Sequence, residues 1–572
     1  MKEAIKQIYK HRQDFILIGL TGKIGVGCST TANFMIQDYP VHNLPSLCIS
    51  NTSSDIDRKK YIVQKFYLAN WKPFVKITAS DVITSFLLEN DFNTLQAFLT
   101  SGKFKIFESS FEEIYNQLHE EQKSLNFETK DEATYEYIIN KLSNASLEIK
   151  KALGIENSYR NYSEIYQKIG DNIRLYGSVI KGENINLENI FTISERINNF
   201  IKIIKNHKLN VEQQPAYIVI DAFRNPFEAL YFKERYSAFY LFSINAQQQH
   251  IEDRLARDLK MSIDQIKQQD EKENPDDTID SEEHFVSQNI KACIQKSDVH
   301  IANNGMFGNS NYHELYGQII KYISLIQHPG LITPSLDEKM MQVAHTAKLN
   351  SACLSRQVGA SITNQYGSLK AVGWNSVADG QTPCLLRSQD ELISGTESKA
   401  FSAYEKGAKF KKALVDFYPS FDDKNEDLKG RNKSFCFSEI HNKQIMSDKN
   451  QNTDLCKCDK NQVHTRSLHA EENAFLQISK YGGEGIKDGI LYSTASPCEL
   501  CSKKAYQLGI KKIVYIDPYP GTAQDQILNS GIYPPEVVLF KGAIGSAYHK
   551  LYEPILSYKD ELKALSTKGM LK

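Results

Sequence analysis

His469-Ala-Glu471 and, further along, Pro497-Cys498-Glu-Leu-Cys501 hold the residue types a reactive metal site needs. One imidazole and two thiols are donors that zinc takes tetrahedrally, and three protein ligands leave the fourth position open for water. Cys498 and Cys501, at i and i+3 on a helix opening after Pro497, present both sulfurs on one face, where the helix N-terminus favours thiolate. Glu471 is placed to carry protons instead of binding metal. A purely structural site would close its shell with a fourth protein ligand, and neither motif supplies one.

A second stretch, "GLTGKIGVGCSTTA" at 19–32, begins like a phosphate-binding loop. Gly22 and Gly27 have the G-x-x-x-x-G-K-S/T spacing, Lys23, Gly25 and Thr30 complete the stretch, and Ser29 fills the hydroxyl position that would meet Mg²⁺. Cys28 stands where the lysine belongs. The backbone amides of residues 22–29 and the helix N-terminus still favour an anion, while the charge that stabilises a transferring phosphoryl group is gone. Binding survives this loss better than turnover does.

The surrounding pattern supplies elements to position both motifs. "FILIGL", "AYIVID", "AFYLFSI" and "DVHIANN" read as strands separated by longer amphipathic stretches, the pattern of a parallel α/β sheet. A polar, helical segment at about 91–210 interrupts it. An acidic stretch at 268–284 reads as a loop. Near "HPGLITPS" a second unit begins: Pro334 opens a helix carrying Leu336, Met340, Val343, Ala344 and Ala347. "VGASIT" and "LKAVGWN" form a hairpin across "NQYG". Helix, strand, helix and strand follow in "HAEENAFLQISK", "GILYST", "CELCSKKAYQLG" and "KKIVYID", after a polar excursion at about 385–465. The expected domains are 1–330 and 331–572.

Composition bounds the partners. The 572 residues suffice for two to four domains, and 68 basic against 69 acidic residues give a net charge of -1, with no footprint for a polyanion. No apolar run approaches the roughly 20 residues of a membrane span, so a cytoplasmic protein without membrane contact is expected. Ten cysteines are too few for a disulfide framework, yet seven lie between Cys353 and Cys501, a clustering that suggests metal.

H-x-E…P-C-x-x-C is the signature of zinc deaminases. Residues 340–376 and 465–540 resemble the deoxycytidylate deaminase branch of the cytidine deaminase superfamily: "SACLSRQVGASI" and "GWN" resemble its first hairpin, and "LHAEENAF" and "SPCELC" its metal motifs. The resemblance implies an α/β/α sandwich on a five-stranded sheet, Zn²⁺ on His469, Cys498 and Cys501, and Glu471 as proton carrier. It carries substrate contact to Asn375. In "YIDPYPG", Tyr515 or Tyr519 either joins the pocket or packs in core or loop. Arg356 either meets a phosphate or holds the hairpin. Some relatives bind a second, structural zinc. Cys384, Cys436, Cys456, Cys458, His441 and His464 are the candidates here, with ordinary reduced thiols as the alternative.

The first unit resembles P-loop nucleotide kinases. Asp221 stands where a Walker-B acid would hold Mg²⁺, Arg224 and "NP" follow it, Arg254 and Arg257 resemble lid arginines, and "SDVHIANNG" resembles the final strand. Lys23, Arg224, Arg254 and Arg257 are candidate substitutes for the missing lysine. The whole arrangement resembles bacterial anti-phage deoxycytidine-nucleotide deaminases. That implies free dCTP or dCMP as substrate, a regulatory nucleotide with Mg²⁺ at the loop, and depletion of the dCTP pool. A homo-oligomer is expected, and no residue pattern announces an RNA or protein inhibitor. Three rival readings are a nucleic-acid-editing cytidine or adenosine deaminase, a bifunctional kinase and deaminase, and a decayed binding module.

Overall fold

The computed structural model describes residues 2–38, 54–154, 159–258, 265–266, 268, 282–304, 312–395, 399–418, 428–449, 465–518 and 521–566. The chain forms two compact units, 1–334 with 541–572, and 335–540. Among the described residues no helix is long and apolar enough to cross a membrane.

In the first unit, β1 (Phe15–Thr21) is buried at every position, as a central strand covered on both faces must be. It lies between β3 (Ala216–Asp221) and β4 (Phe239–Asn245). The edges are β2 (Val75–Thr78) on one side and β5 (Val299–Ala302), then β11 (Gly542–Ala543), on the other. β1 to β5 run parallel, and β11 is antiparallel to β5. The four strands read from sequence are present. β2, "VKIT", was not anticipated, because four residues with a lysine among them make too short an alternation. The interrupting segment is helical as expected, from Phe92–Ser101 to Thr192–Asn206, around a core that includes Phe92, Leu95, Ile193, Ile197, Phe200 and Ile204.

β11 lies in the last stretch, which the expected boundary gave to the second unit; in the structure that unit ends at Phe540. Ala543, Ala547 and Leu551 enter the first unit's core, and Glu561 accepts hydrogen bonds from Tyr9 (3.1 Å) and lies 3.0 Å from the His328 ring. A two-residue strand of Gly and Ala has no hydrophobic signature by which it could be assigned.

The second unit holds a five-stranded sheet of order β10 (Glu536–Leu539), β9 (Lys512–Asp517), β8 (Ile490–Ala495), β6 (Gly359–Thr363) and β7 (Leu369–Trp374). The β6–β7 hairpin turns at Asn364, whose carboxamide oxygen accepts from the amides of Tyr366 and Ser368, and Gly367 takes the left-handed φ of 82°. The helix Leu336–Ala347 starts with Ser335 as its cap, in a box with Glu338, one residue past Pro334. The polar excursion contains a small core of its own, including Phe401, Phe410, Leu414 and Phe435. Its aromatics are spread so widely in sequence that no short window looks apolar. There Arg387 and Glu405, 0% and 1% exposed, pair at 2.6 Å.

Candidate metal centre and active site

Two helices bring the metal motifs together by their N-termini. His469 caps the helix Ala470–Tyr481, and Cys498 caps the helix Glu499–Gln507, which carries Cys501 in its first turn. Glu472 on the first helix and Lys504 on the second form an ion pair that ties them. The first helix lies hard against β7. A Cβ on Gly373 would sit 2.2 Å from the Ala470 carbonyl oxygen and 2.5 Å from the Ala474 nitrogen, so the glycine of "GWN" is there for close approach.

The His469 Nδ1 and the sulfurs of Cys498 and Cys501 lie within 4.8 Å of one another. Nδ1 is 3.2 Å from the Cys498 Sγ and 3.5 Å from the Cys501 Sγ. Both cysteines are buried and the histidine is half-buried. The bond with Cys501, reinforced by the His469 ring, pulls the Cys498 thiol well below the usual range, while the same bond and burial push Cys501 up. His469 is raised, chiefly by its bond to Cys498. One imidazole nitrogen and two sulfurs, converging within 4.8 Å, are a donor set that fits zinc. Among the described residues this is the one grouping of three or more His, Cys, Asp or Glu with such convergence.

Glu471 points elsewhere. It is 4% exposed, and Oε1 accepts a 2.9 Å hydrogen bond from the Ser493 hydroxyl on β8. Burial pushes its carboxyl up, against the pull of its own amide, His469 and Ser493. Ser493 was not foreseen from sequence. The available signal was "LYSTA": with Tyr492 turned to Asp337 (2.8 Å), strand alternation sets Ser493 in a row with Leu491 and Ala495, a hydroxyl in an otherwise apolar line.

Asn375 uses both ends of its side chain on the hairpin. Its nitrogen donates to the Arg356 carbonyl at 2.6 Å and its oxygen accepts from the Val358 amide at 2.8 Å. Arg356 forms an ion pair with Asp517, whose carbonyl accepts from the Ser496 amide just ahead of Pro497. Tyr515 is buried on β9, while Tyr519 lies outside the described residues. So do Cys456, Cys458 and His464. Cys384 accepts weak hydrogen bonds from Arg387 and Arg466, Cys436 lies 3.3 Å from the Ser355 hydroxyl, and His441 bonds to Tyr404, so these three sit with separate partners. A cavity of about 620 Å³ beside the Glu471 helix is lined by Trp374, Asp379, Leu468, Asn473, Lys480 and Tyr481, among others, but not by the metal ligands.

The glycine-rich loop of the first unit joins β1 to the helix Cys28–Met35. Gly25 and Gly27 have φ of 83° and 100°, and Gly22 passes so close to Ile244 that a Cβ would meet its carbonyl at 2.5 Å. Cys28 packs against the core, and Thr31 bonds back to the Gly27 carbonyl. Lys23 and Thr30 are half-buried and Ser29 exposed; the Ser29 hydroxyl bonds to Asp221 at the end of β3. Burial raises the Asp221 carboxyl, and Ser29, Lys76 and Arg224 oppose the rise.

Arg254 is buried against the glycine-rich loop. Nη1 donates to the carbonyls of Gly25 (3.1 Å) and Val26 (3.2 Å) and Nη2 to that of Asn303 (2.7 Å), so it holds the loop from behind. Arg257, one turn on, is exposed. Two lysines that sequence reading passed over belong to this corner. Lys76 on β2 acts on Asp221, and Lys150, from the helix Leu142–Ala152 of the interrupting segment, bonds to the Ser80 hydroxyl at 2.8 Å and feels both Asp81 and Asp221. They escaped notice because neither lies in a motif.

Residues 334–517 match the family model described as the cytidine and deoxycytidylate deaminase zinc-binding region. Within the curated proteins, the deoxycytidylate deaminase of Schizosaccharomyces pombe is 28% identical over 193 residues, 34% of this chain and 40% of that protein. The deoxycytidylate deaminase of Enterobacteria phage T2 is 42% identical over 69 residues, 11% of this chain and 36% of that protein. This chain thus spans well under half the length of either relative. A solved dCMP deaminase from the cyanophage S-TIM5 aligns at 22% identity over 36% of this chain and all of its own, with a TM-score of 0.20.

Proposed function

We propose that the chain is a zinc-dependent hydrolytic deaminase of free deoxycytidine nucleotides, dCMP or dCTP, acting in the cytoplasm. The observation that carries this is the convergence of His469, Cys498 and Cys501 with Glu471 buried two residues from the histidine and turned off the ligand set. Bound there, zinc supplies the Lewis acidity that makes water a nucleophile near neutral pH. Glu471 takes the proton of the attacking water, gives it to N3 of cytosine, and next delivers a proton to the 4-amino group. A C–O bond forms at C4, the C–N bond breaks, and ammonia leaves a uracil base. Nucleotide is favoured over nucleic acid because the chain carries no net positive charge.

The first unit, in this reading, is a nucleotide sensor. What supports this is that Arg254 binds the loop through the Gly25 and Val26 carbonyls, that Ser29 bonds to Asp221, the pair that would meet Mg²⁺, and that Lys76 and Lys150 bring positive charge to Asp221. The anti-phage role rests on the resemblance of the two-part arrangement alone. The test is purified protein with dCMP, dCTP, CTP and a cytosine-containing oligonucleotide, each with and without ATP or GTP. Uracil formation from deoxynucleotide, abolished by Glu471→Ala with zinc retained, is expected. Activity confined to the oligonucleotide, or a Glu471→Ala variant near wild-type rate, overturns the reading.

A further inference from the structure

Ser493 is fully buried on β8, between Ala360 of β6 and Tyr515 of β9, in the row that faces the Glu471 helix. Its neighbours in that row are Leu491, in one core with Ala470 and Ala474, and Ala495. A hydroxyl buried in such a row is costly unless bonded, and it has one partner here: Oγ donates to the Glu471 Oε1 at 2.9 Å. The helix fixes where the Glu471 backbone lies; the side-chain torsions remain to be set.

We infer that Ser493 is a positioning residue, which holds the Glu471 carboxylate by one oxygen so that the other is turned toward the substrate. This rests on the deaminase reading above. Two bonded termini leave the carboxylate one orientation: its main chain is fixed by the helix against Gly373, and its Oε1 by the strand. An apolar side chain at 493 fills the same space and leaves the carboxylate free to turn about its last torsion, which is soft for an acid side chain.

The experiment compares wild type with Ser493→Ala, Ser493→Val and Ser493→Thr in the full chain, measuring kcat, KM, zinc content and thermal midpoint. Alanine and valine are expected to lower kcat about 10- to 100-fold, as misplacement of a catalytic group does, with KM within about twofold and zinc unchanged. Threonine, which keeps the hydroxyl, is expected to restore most of kcat. Valine and alanine variants at wild-type kcat overturn the inference. So does loss of zinc or of the thermal midpoint in parallel with kcat, which marks a packing role, and so does a folded, zinc-loaded threonine variant as slow as alanine. A wild type inactive on every deoxycytidine nucleotide overturns the underlying reading and this inference with it, whereas an active wild type with unaffected variants overturns the inference alone.

Discussion

Replacing Gly373 by alanine puts one methyl between β7 and the helix that carries His469 and Glu471. The added carbon would lie 2.2 Å from the Ala470 carbonyl oxygen and 2.5 Å from the Ala474 nitrogen. Ordinary van der Waals contact begins near 3.4 Å, so helix and strand must part by about 1 Å, and neither struck atom can rotate away because both are backbone. Overpacking of this kind costs about 1 to 3 kcal/mol, with rigid obstacles at the upper end. For a unit of about 200 residues, about 3 kcal/mol lowers the midpoint by about 6 to 12 °C. The struck carbonyl is in the first turn, between His469 and Glu471, so the displacement reaches the chemistry, where about 1 Å is worth about 100-fold in rate. Calorimetry of the full chain with zinc release recorded alongside measures the first effect, and kcat per folded molecule the second. Gly359→Ala is the control: its Cβ would strike the Ala344 carbonyl at 2.0 Å, but on the helix Leu336–Ala347, which holds no metal ligand. It should lose comparable stability and keep most of its rate per folded molecule. A Gly373→Ala variant with wild-type midpoint and rate, or one no slower than Gly359→Ala, would refute the reasoning.

Chelation of zinc should abolish deamination and readdition restore it, and His469→Ala or Cys498→Ala should lose the metal; full zinc occupancy in either variant, by elemental analysis, would contradict the ligand assignment. Glu405→Ala leaves the Arg387 guanidinium buried without its counter-charge between the rings of Phe401 and Phe435, and should cost about 3 to 5 kcal/mol by denaturant titration. Burial and the Glu561 carboxylate push the Tyr9 hydroxyl up to about 12. The folded chain therefore keeps a proton that the unfolded chain loses near pH 10, and stability falls as pH rises from about 10 to about 12. Tyr9→Phe should flatten that part of the stability curve, and an unchanged alkaline limb would count against the assignment.

The grouping of His469, Cys498 and Cys501 was legible because its signals are local: the i, i+2 spacing of His469 and Glu471 and the i, i+3 spacing of the cysteines survive in one dimension, and the helix starts that bear them have their own signals. The parallel strands were legible as apolar runs. What escaped was set by distant pairings. Asn375 has the residue type for substrate contact, yet its amide is bonded to the backbone of 356–358, which only the hairpin brings near. Arg254 matched a lid pattern and instead secures a loop more than 200 positions away, since the helix Gln248–Asp258 lies behind that loop. Lys150 reaches the sheet edge only because the helical segment folds back over it, and nothing within its own stretch of chain marks that.

The return of residues 541–572 to the first unit has a bearing on how the chain is made. While the ribosome is still producing Ser335–Phe540, the first unit lacks β11 on the open side of β5 and lacks Ala543, Ala547 and Leu551 from its core. At about 5 to 20 residues per second, translation of that stretch takes about 10 to 40 s. Through that interval a parallel sheet waits with an exposed edge and an unfilled core, the condition under which nascent chains recruit chaperones or pair wrongly. The first unit can thus complete its sheet and core only after the whole of the second unit has emerged, which orders the maturation of the two units.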